Sequence, residues 1–105
     1  MREIDVEELA QWRTSRKPFV LLDVREPGEI AAASLSGSLH IPMREIRVRA
    51  HELEKTAEIA VLCHHGGRSA HVAQLLEMLG FGHVYNIDGG INAYSERIDS
   101  SVPIY

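Results

Sequence analysis

The residues best suited to chemistry lie in one short run around the only cysteine of the chain. An apolar stretch at residues 59–62 leads into this cysteine, and a helix-forming stretch at residues 70–79 follows it. A strand, a tight glycine loop and a helix N-terminus gather backbone N–H groups around one point, here a sulfur atom. Such surroundings favour the nucleophilic thiolate over the thiol. The run is Cys63-His64-His65-Gly66-Gly67-Arg68-Ser69.

The neighbours of Cys63 favour a reactive cysteine over a buried structural one, which would need none of them. Gly66 and Gly67 allow positive φ and a close approach of the backbone to a ligand. Arg68 keeps its charge and can hold an oxyanion through two parallel hydrogen bonds. Ser69 is expected to cap the following helix, so that the positive end of the helix faces the sulfur.

Three other kinds of site could use parts of the same run. A zinc site would use Cys63, His64 and His65, but adjacent residues on a tight loop rarely converge on one metal. A nucleotide-binding P-loop would need a lysine where Arg68 stands and a longer glycine loop. A Cys–His pair, with His64 or His65 as the base, stays open, although an imidazole so near along the loop more often points outward. We expect no metal and no cofactor.

Length and composition place the chain among ordinary globular proteins. Its 105 residues, 45% of them apolar, fit one domain over residues 1–105. The formal charge of −4 gives no reason to expect a nucleic acid or an anionic membrane as a partner. The first residues lack the apolar core of a signal peptide. A lone cysteine cannot form an internal disulfide, so we expect a reducing compartment, the cytoplasm.

Apolar runs alternate with helical patterns along the chain, which predicts an α/β fold with a mostly parallel sheet. Ligands of such sheets lie beyond the carboxyl ends of the strands, where Cys63 is placed. Asp5 is the predicted cap of the first helix, and Ile46, Val48, Ala50 and Leu53 the apolar side of the third. The predicted strands are residues 19–24, 39–41, 59–62 and 84–87, and the predicted helices are residues 6–12, a helix opening at 26–29, 44–53, 70–79 and 91–95.

Charged residues near the end of the first long strand allow two interpretations. Asp23, Arg25 and Glu29 could shape the mouth of the site beside Cys63. The favoured alternative is an ion pair that holds the strand to the following helix, which is the usual behaviour of buried charges. Trp12 and Tyr94 are expected to serve packing.

The run at residues 63–69 resembles the active-site loop of the rhodanese sulfurtransferase family, and three further segments resemble other motifs of that family. These are residues 21–27, residues 37–42 and residues 85–91. The resemblance implies a single rhodanese-like domain, with a central, mostly parallel sheet and helices on both faces. The chain departs from the family pattern at Ile30, Ser34-Leu35 and Tyr94, all of which are expected to be packing positions.

The length of the loop sharpens the expected reaction. Four residues separate Cys63 from Arg68, whereas the related phosphatases and arsenate reductases carry five. The resemblance therefore implies a sulfurtransferase that moves sulfur from thiosulfate or a persulfide, through a persulfide on Cys63, to cyanide or a thiol. Cys63 and Arg68 would be catalytic, and His64, His65, Gly66, Gly67 and Ser69 would form the donor-binding loop. The alternatives are a relay module that delivers the persulfide to a thioredoxin-like or other acceptor protein, and a phosphatase or arsenate reductase, which the short loop disfavours.

Overall fold

A sheet of five parallel strands forms the centre of the computed structural model, which describes residues 1–105. The strands are β1 Arg2–Ile4, β2 Val20–Asp23, β3 Leu39–His40, β4 Ile59–Leu62 and β5 Val84–Ile87. Their order across the sheet is β1-β5-β4-β2-β3, so β4 lies at the centre and β1 and β3 form the edges. The carboxyl end of the central strand is therefore the place where Cys63 emerges.

Five α-helices and two 3₁₀ turns connect and cover the strands. The Asp5 side chain accepts a hydrogen bond from the Glu8 N–H at 2.8 Å, which confirms Asp5 as the cap of the first helix. No helix has both the length and the apolar composition to cross a bilayer. The helices are α1 Val6–Thr14, α2 Pro27–Ala32, α3 Ile46–Arg49, α4 Gly67–Met78 and α5 Gly90–Arg97, and the 3₁₀ turns are Met43–Glu45 and Ala50–Glu52.

The core has two layers, one on each face of the sheet, and alternate residues of β4 point into each. Ile59 and Val61 contribute to the layer that α4 covers, whereas Ala60 and Leu62 contribute to the layer under α1 and α5. All four residues are fully buried. A strand covered on both faces accounts for the uninterrupted apolar run in the sequence, and it confirms the predicted α/β fold with helices on both faces.

The segment before β4 is not the continuous helix predicted over residues 44–53. A 3₁₀ turn begins after Pro42, and α3 lasts only four residues before a second 3₁₀ turn. Ile46 and Ala50 are buried, but Val48 is 76% exposed. Val48 was wrongly assigned to the apolar side, because a residue two positions after Ile46 lies on the opposite face of a helix.

The edge strand β1 has no counterpart among the predicted strands. It pairs in parallel with β5, and of its three residues only Ile4 is buried. One apolar residue beside Arg2 and Glu3 gives no alternating pattern that sequence reasoning could detect.

Candidate functional site

The loop after β4 turns back so that one of its backbone N–H groups contacts the sulfur of Cys63. Cys63 is 1% exposed, and its Sγ accepts a hydrogen bond from the Gly66 N–H at 3.1 Å. Gly66 has φ +110°, a conformation that residues with a side chain rarely adopt. A Cβ on Gly66 would also lie 3.2 Å from the backbone nitrogen of Gly89. Only a glycine can bring this N–H to the sulfur without strain.

The start of α5 fixes the backbone of the loop from outside. The Ile91 N–H donates to the Cys63 carbonyl at 2.9 Å, and the Asn92 N–H donates to the His64 carbonyl at 3.1 Å. A Cβ on Gly90 would lie 2.5 Å from the first of these oxygens and 2.4 Å from the second. The absence of a side chain at Gly90 therefore lets the N-terminus of α5 dock on the loop.

The prediction that Ser69 caps the following helix is wrong, because Gly66 is the cap residue. The positive φ of Gly66 turns the chain directly into α4, which begins at Gly67, so Ser69 lies inside the first turn. Its hydroxyl contacts Cys63 Sγ at 3.2 Å and donates to the side-chain oxygen of Asn86. Either atom of the contact between Ser69 and Cys63 can be the donor, so the hydroxyl can meet the sulfur both as a thiol and as a thiolate.

Asn86 belongs to the site and is not among the site residues predicted from the sequence. It is 2% exposed on β5, and its side-chain amide donates to the Gly66 carbonyl at 3.2 Å and to Glu3 Oε1 at 3.1 Å. These two acceptors orient the amide, so that its oxygen faces Ser69. The available signal was a polar residue in an otherwise apolar strand.

Arg68 forms an ion pair with Glu29 of α2. Its Nη1 donates to Glu29 Oε1 at 2.6 Å, and its Nη2 donates to Glu29 Oε2 at 2.8 Å. The hydrogen bonds from Arg68 lower the pKa of Glu29 to about 2, and in turn raise the pKa of Arg68. The structure therefore places Glu29 at the loop, in agreement with the interpretation that it lies at the mouth of the site.

Asp23 and Arg25 form the ion pair that was favoured for them. Arg25 Nη2 donates to Asp23 Oδ2 at 2.7 Å, and both side chains are fully buried. Arg25 also donates to the carbonyls of Ala33 and Glu29, so it ties the end of β2 to α2. Its Nη1 reaches the hydroxyl of Tyr105 at 3.0 Å, and that hydroxyl donates to Glu29 Oε2 at 2.8 Å.

Three rings lie beside one another next to the loop. The His64 ring stacks on Tyr105 with 4.0 Å between centroids and 10° between planes, and His65 lies 4.0 Å from His64 on centroids. Burial lowers the pKa of His64, which favours a neutral imidazole at neutral pH. Tyr105, which the sequence analysis did not consider, thus contacts both the histidine and the Glu29 carboxylate.

Of the predicted loop residues, Gly66 and Ser69 contact the sulfur of Cys63. Arg68 pairs with Glu29, and His64 stacks on Tyr105. Nowhere does the chain group three or more His, Cys, Asp or Glu side chains in a geometry that could hold a metal ion. What the arrangement offers is a buried sulfur that contacts a backbone N–H and a hydroxyl, with an ion pair formed by an arginine of the same loop. These are the elements of a site for nucleophilic chemistry at sulfur.

Comparisons with known proteins give consistent matches. The model of the family described as "Rhodanese-like domain" matches residues 5–97. A chloroplastic rhodanese-like/PpiC domain-containing protein 12 from Arabidopsis thaliana is 43% identical, and the chain spans 38% of its length. A sulfurtransferase from Allochromatium vinosum is 35% identical over 92% of the chain and 91% of the relative. The crystal structure of a rhodanese-like domain protein from Staphylococcus aureus superposes with a TM-score of 0.86 at 30% identity, over 100% of the chain and 99% of that structure.

Proposed function

The chain belongs to the rhodanese-like family, and from this premise we propose that it transfers sulfane sulfur through a persulfide on Cys63. The observation that carries the proposal is the placement of Cys63, with its Sγ held by the Gly66 N–H at the carboxyl end of the central strand. A sulfur atom fixed there by a backbone donor has the electrostatic support that a nucleophilic thiolate and a persulfide anion both need.

The proposed reaction has two displacements at sulfur. First the Cys63 thiolate attacks the outer sulfur of the donor, a new S–S bond forms, and the bond between that sulfur and the rest of the donor breaks. The leaving group departs with the electron pair, as sulfite from thiosulfate or as a thiolate from a persulfide. An acceptor, cyanide or a thiolate, then attacks the outer sulfur of the Cys63 persulfide and restores the Cys63 thiolate.

The neighbouring residues support this cycle without covalent roles. The Gly66 N–H stabilises the anionic sulfur in both halves of the reaction, and the docked start of α5 keeps the loop from opening. Glycines at 66 and 90 permit this packing. A reducing compartment such as the cytoplasm, the proposed location, would keep Cys63 as a free thiol.

The test is the intact mass of the reduced protein after incubation with a donor. Thiosulfate and a small persulfide are offered separately, and cyanide is added afterwards. We expect a gain of one sulfur atom that cyanide reverses, and no gain in Cys63→Ser. Because the chain has one cysteine, the added sulfur needs no further mapping. A protein that gains no sulfur from either donor would refute the proposal.

The acceptor is examined by adding thiols to the sulfur-loaded protein. We propose a small thiol as acceptor, with thiocyanate formation from cyanide as the laboratory counterpart. If a small thiol removes the added sulfur at a rate similar to that of its removal by cyanide, the result supports a small thiol as the acceptor. Transfer to a reduced thioredoxin-like protein but not to small thiols would instead assign the chain to protein-to-protein sulfur relay.

A further inference from the structure

The guanidinium of Arg68 is already occupied by a carboxylate. Its two terminal nitrogens each donate to a different oxygen of Glu29, at 2.6 and 2.8 Å. This two-point geometry is the one by which arginine binds sulfonates, phosphates and carboxylates. An anionic donor could bind the same two nitrogens of Arg68 only by displacing the Glu29 carboxylate.

Glu29 is held in place by more than Arg68. Its Oε1 accepts a further hydrogen bond from the Glu26 N–H at 3.1 Å, and its Oε2 accepts one from the Tyr105 hydroxyl at 2.8 Å. Burial raises the pKa of Tyr105, so this hydroxyl keeps its proton at neutral pH. Displacing the Glu29 carboxylate therefore breaks four hydrogen bonds, which makes it a fixed part of the site.

The two ion pairs beside the loop leave no net positive charge for a donor. Glu29 balances Arg68, and Asp23 balances the nearby Arg25. A Cys63 thiolate adds a negative charge to this neutral surrounding. A sulfonate-bearing donor such as thiosulfate, with two negative charges, is then repelled by the thiolate, and both arginines are already paired with carboxylates. A thiol persulfide in its neutral form carries no such charge next to the transferred sulfur.

We propose that Glu29 is a specificity-determining residue that disfavours sulfonate donors, so that the donor class of this site is a thiol persulfide. The inference rests on the proposed function. In this step the Cys63 thiolate attacks the terminal sulfur of R–S–SH, the S–S bond of the donor breaks, and R–S⁻ leaves with the electron pair. The proton stays on the transferred sulfur as Cys63–S–SH, so atoms and charge balance and no external oxidant or reductant is used.

The experiment compares two donors, thiosulfate and cysteine persulfide, by kcat/KM for loading of Cys63. The variants are Glu29→Gln, which keeps the shape and an acceptor oxygen but removes the charge, and Tyr105→Phe, which removes one hydrogen bond to Glu29. We expect the unmodified protein to favour the persulfide. We expect Glu29→Gln to raise the thiosulfate-to-persulfide ratio of kcat/KM by about tenfold or more, the effect of one unit charge near the donor. Tyr105→Phe should shift the same ratio in the same direction by less.

Glu26→Gln is the matched control, because it removes a negative charge from the same end of α2. Glu26 pairs with Arg44 and not with Arg68, and its side chain is 53% exposed. We expect its donor ratio to equal that of the unmodified protein. If Glu29→Gln leaves the thiosulfate-to-persulfide ratio of kcat/KM unchanged or lowers it, the inference about Glu29 is refuted. The proposed function would still stand in that case, provided that Cys63 is loaded with sulfur. Failure of both donors to load the unmodified protein would instead refute the proposed function, and the inference with it.

Discussion

Replacing Gly90 by alanine tests whether the contact between α5 and the loop holds the site together. The new Cβ would lie 2.5 Å from the Cys63 oxygen and 2.4 Å from the His64 oxygen. Ordinary contacts begin near 3.4 Å, so the helix and the loop must separate by roughly 1 Å. That movement weakens the hydrogen bonds that Ile91 and Asn92 donate to those oxygens, at 2.9 and 3.1 Å.

The cost follows from two contributions. Alanine at φ +60° costs about 1–2 kcal/mol, because its Cβ crowds the backbone in the left-handed region. Two weakened hydrogen bonds add about 1 kcal/mol each. We therefore expect Gly90→Ala to lower the free energy of unfolding by about 3–4 kcal/mol. Urea titrations with an unchanged m-value measure this loss.

Gly37→Ala is the matched control for the backbone contribution alone. Gly37 also has positive φ, +80°, but a Cβ there would meet no atom within 4 Å. We expect it to cost only the conformational part, about 1–2 kcal/mol, and to leave sulfur loading of Cys63 unchanged. Gly90→Ala should slow that loading in addition. If the two variants unfold at the same urea concentration, the packing argument for Gly90 is refuted.

Two further predictions concern the charges around α2. Asp23→Asn leaves the guanidinium of Arg25 buried without an ionised partner. We expect the free energy of unfolding, measured by urea titration, to fall by about 3–5 kcal/mol. A fall below about 1 kcal/mol would contradict the stabilising role of the buried pair. The pKa of Glu29 is lowered from 4.5 to about 2, so its ion pair stabilises the fold fully above pH 4.5, and this contribution is lost as the pH falls towards 2. Glu29→Gln should flatten the loss of thermal stability in that window, and an equally steep acid branch would argue against the pair.

The strands β4 and β5 and the position of Cys63 could be predicted because their signals are local. β4 and β5 have the predicted bounds, because turn residues follow both strands and β4, which is buried on both faces, is a continuous apolar run. Cys63 follows β4 directly in sequence, so placing the strand also places the sulfur. The wrong prediction that Val48 lies on the apolar side of a helix also has a local cause. A helix of four residues between two 3₁₀ turns is too short to show a helical period of apolar residues.

The contacts of the loop with its partners could not be predicted, because the partners come from distant parts of the chain, and Glu29 was placed near the site only by the less favoured of two interpretations. Glu29 lies 39 residues before Arg68, Asn86 lies 17 residues after Ser69, and Tyr105 reaches back 76 residues to Glu29. No spacing rule connects such positions. Only the parallel order of the strands brings the ends of β2, β4 and β5 to one edge, where these side chains meet.

This separation has a consequence for how function is encoded in the chain. Under the proposed function, the loop sets the kind of reaction, since it supplies the cysteine, the backbone donor and an arginine within seven consecutive residues. Under the proposed donor selectivity, the charge that a donor encounters depends on another part of the chain, because Glu29 of α2 pairs with that arginine. Two chains with the same loop and different residues at position 29 should therefore share the persulfide on cysteine but differ in the donor that forms it. The Glu29→Gln variant makes that comparison within one chain, with the loop held constant.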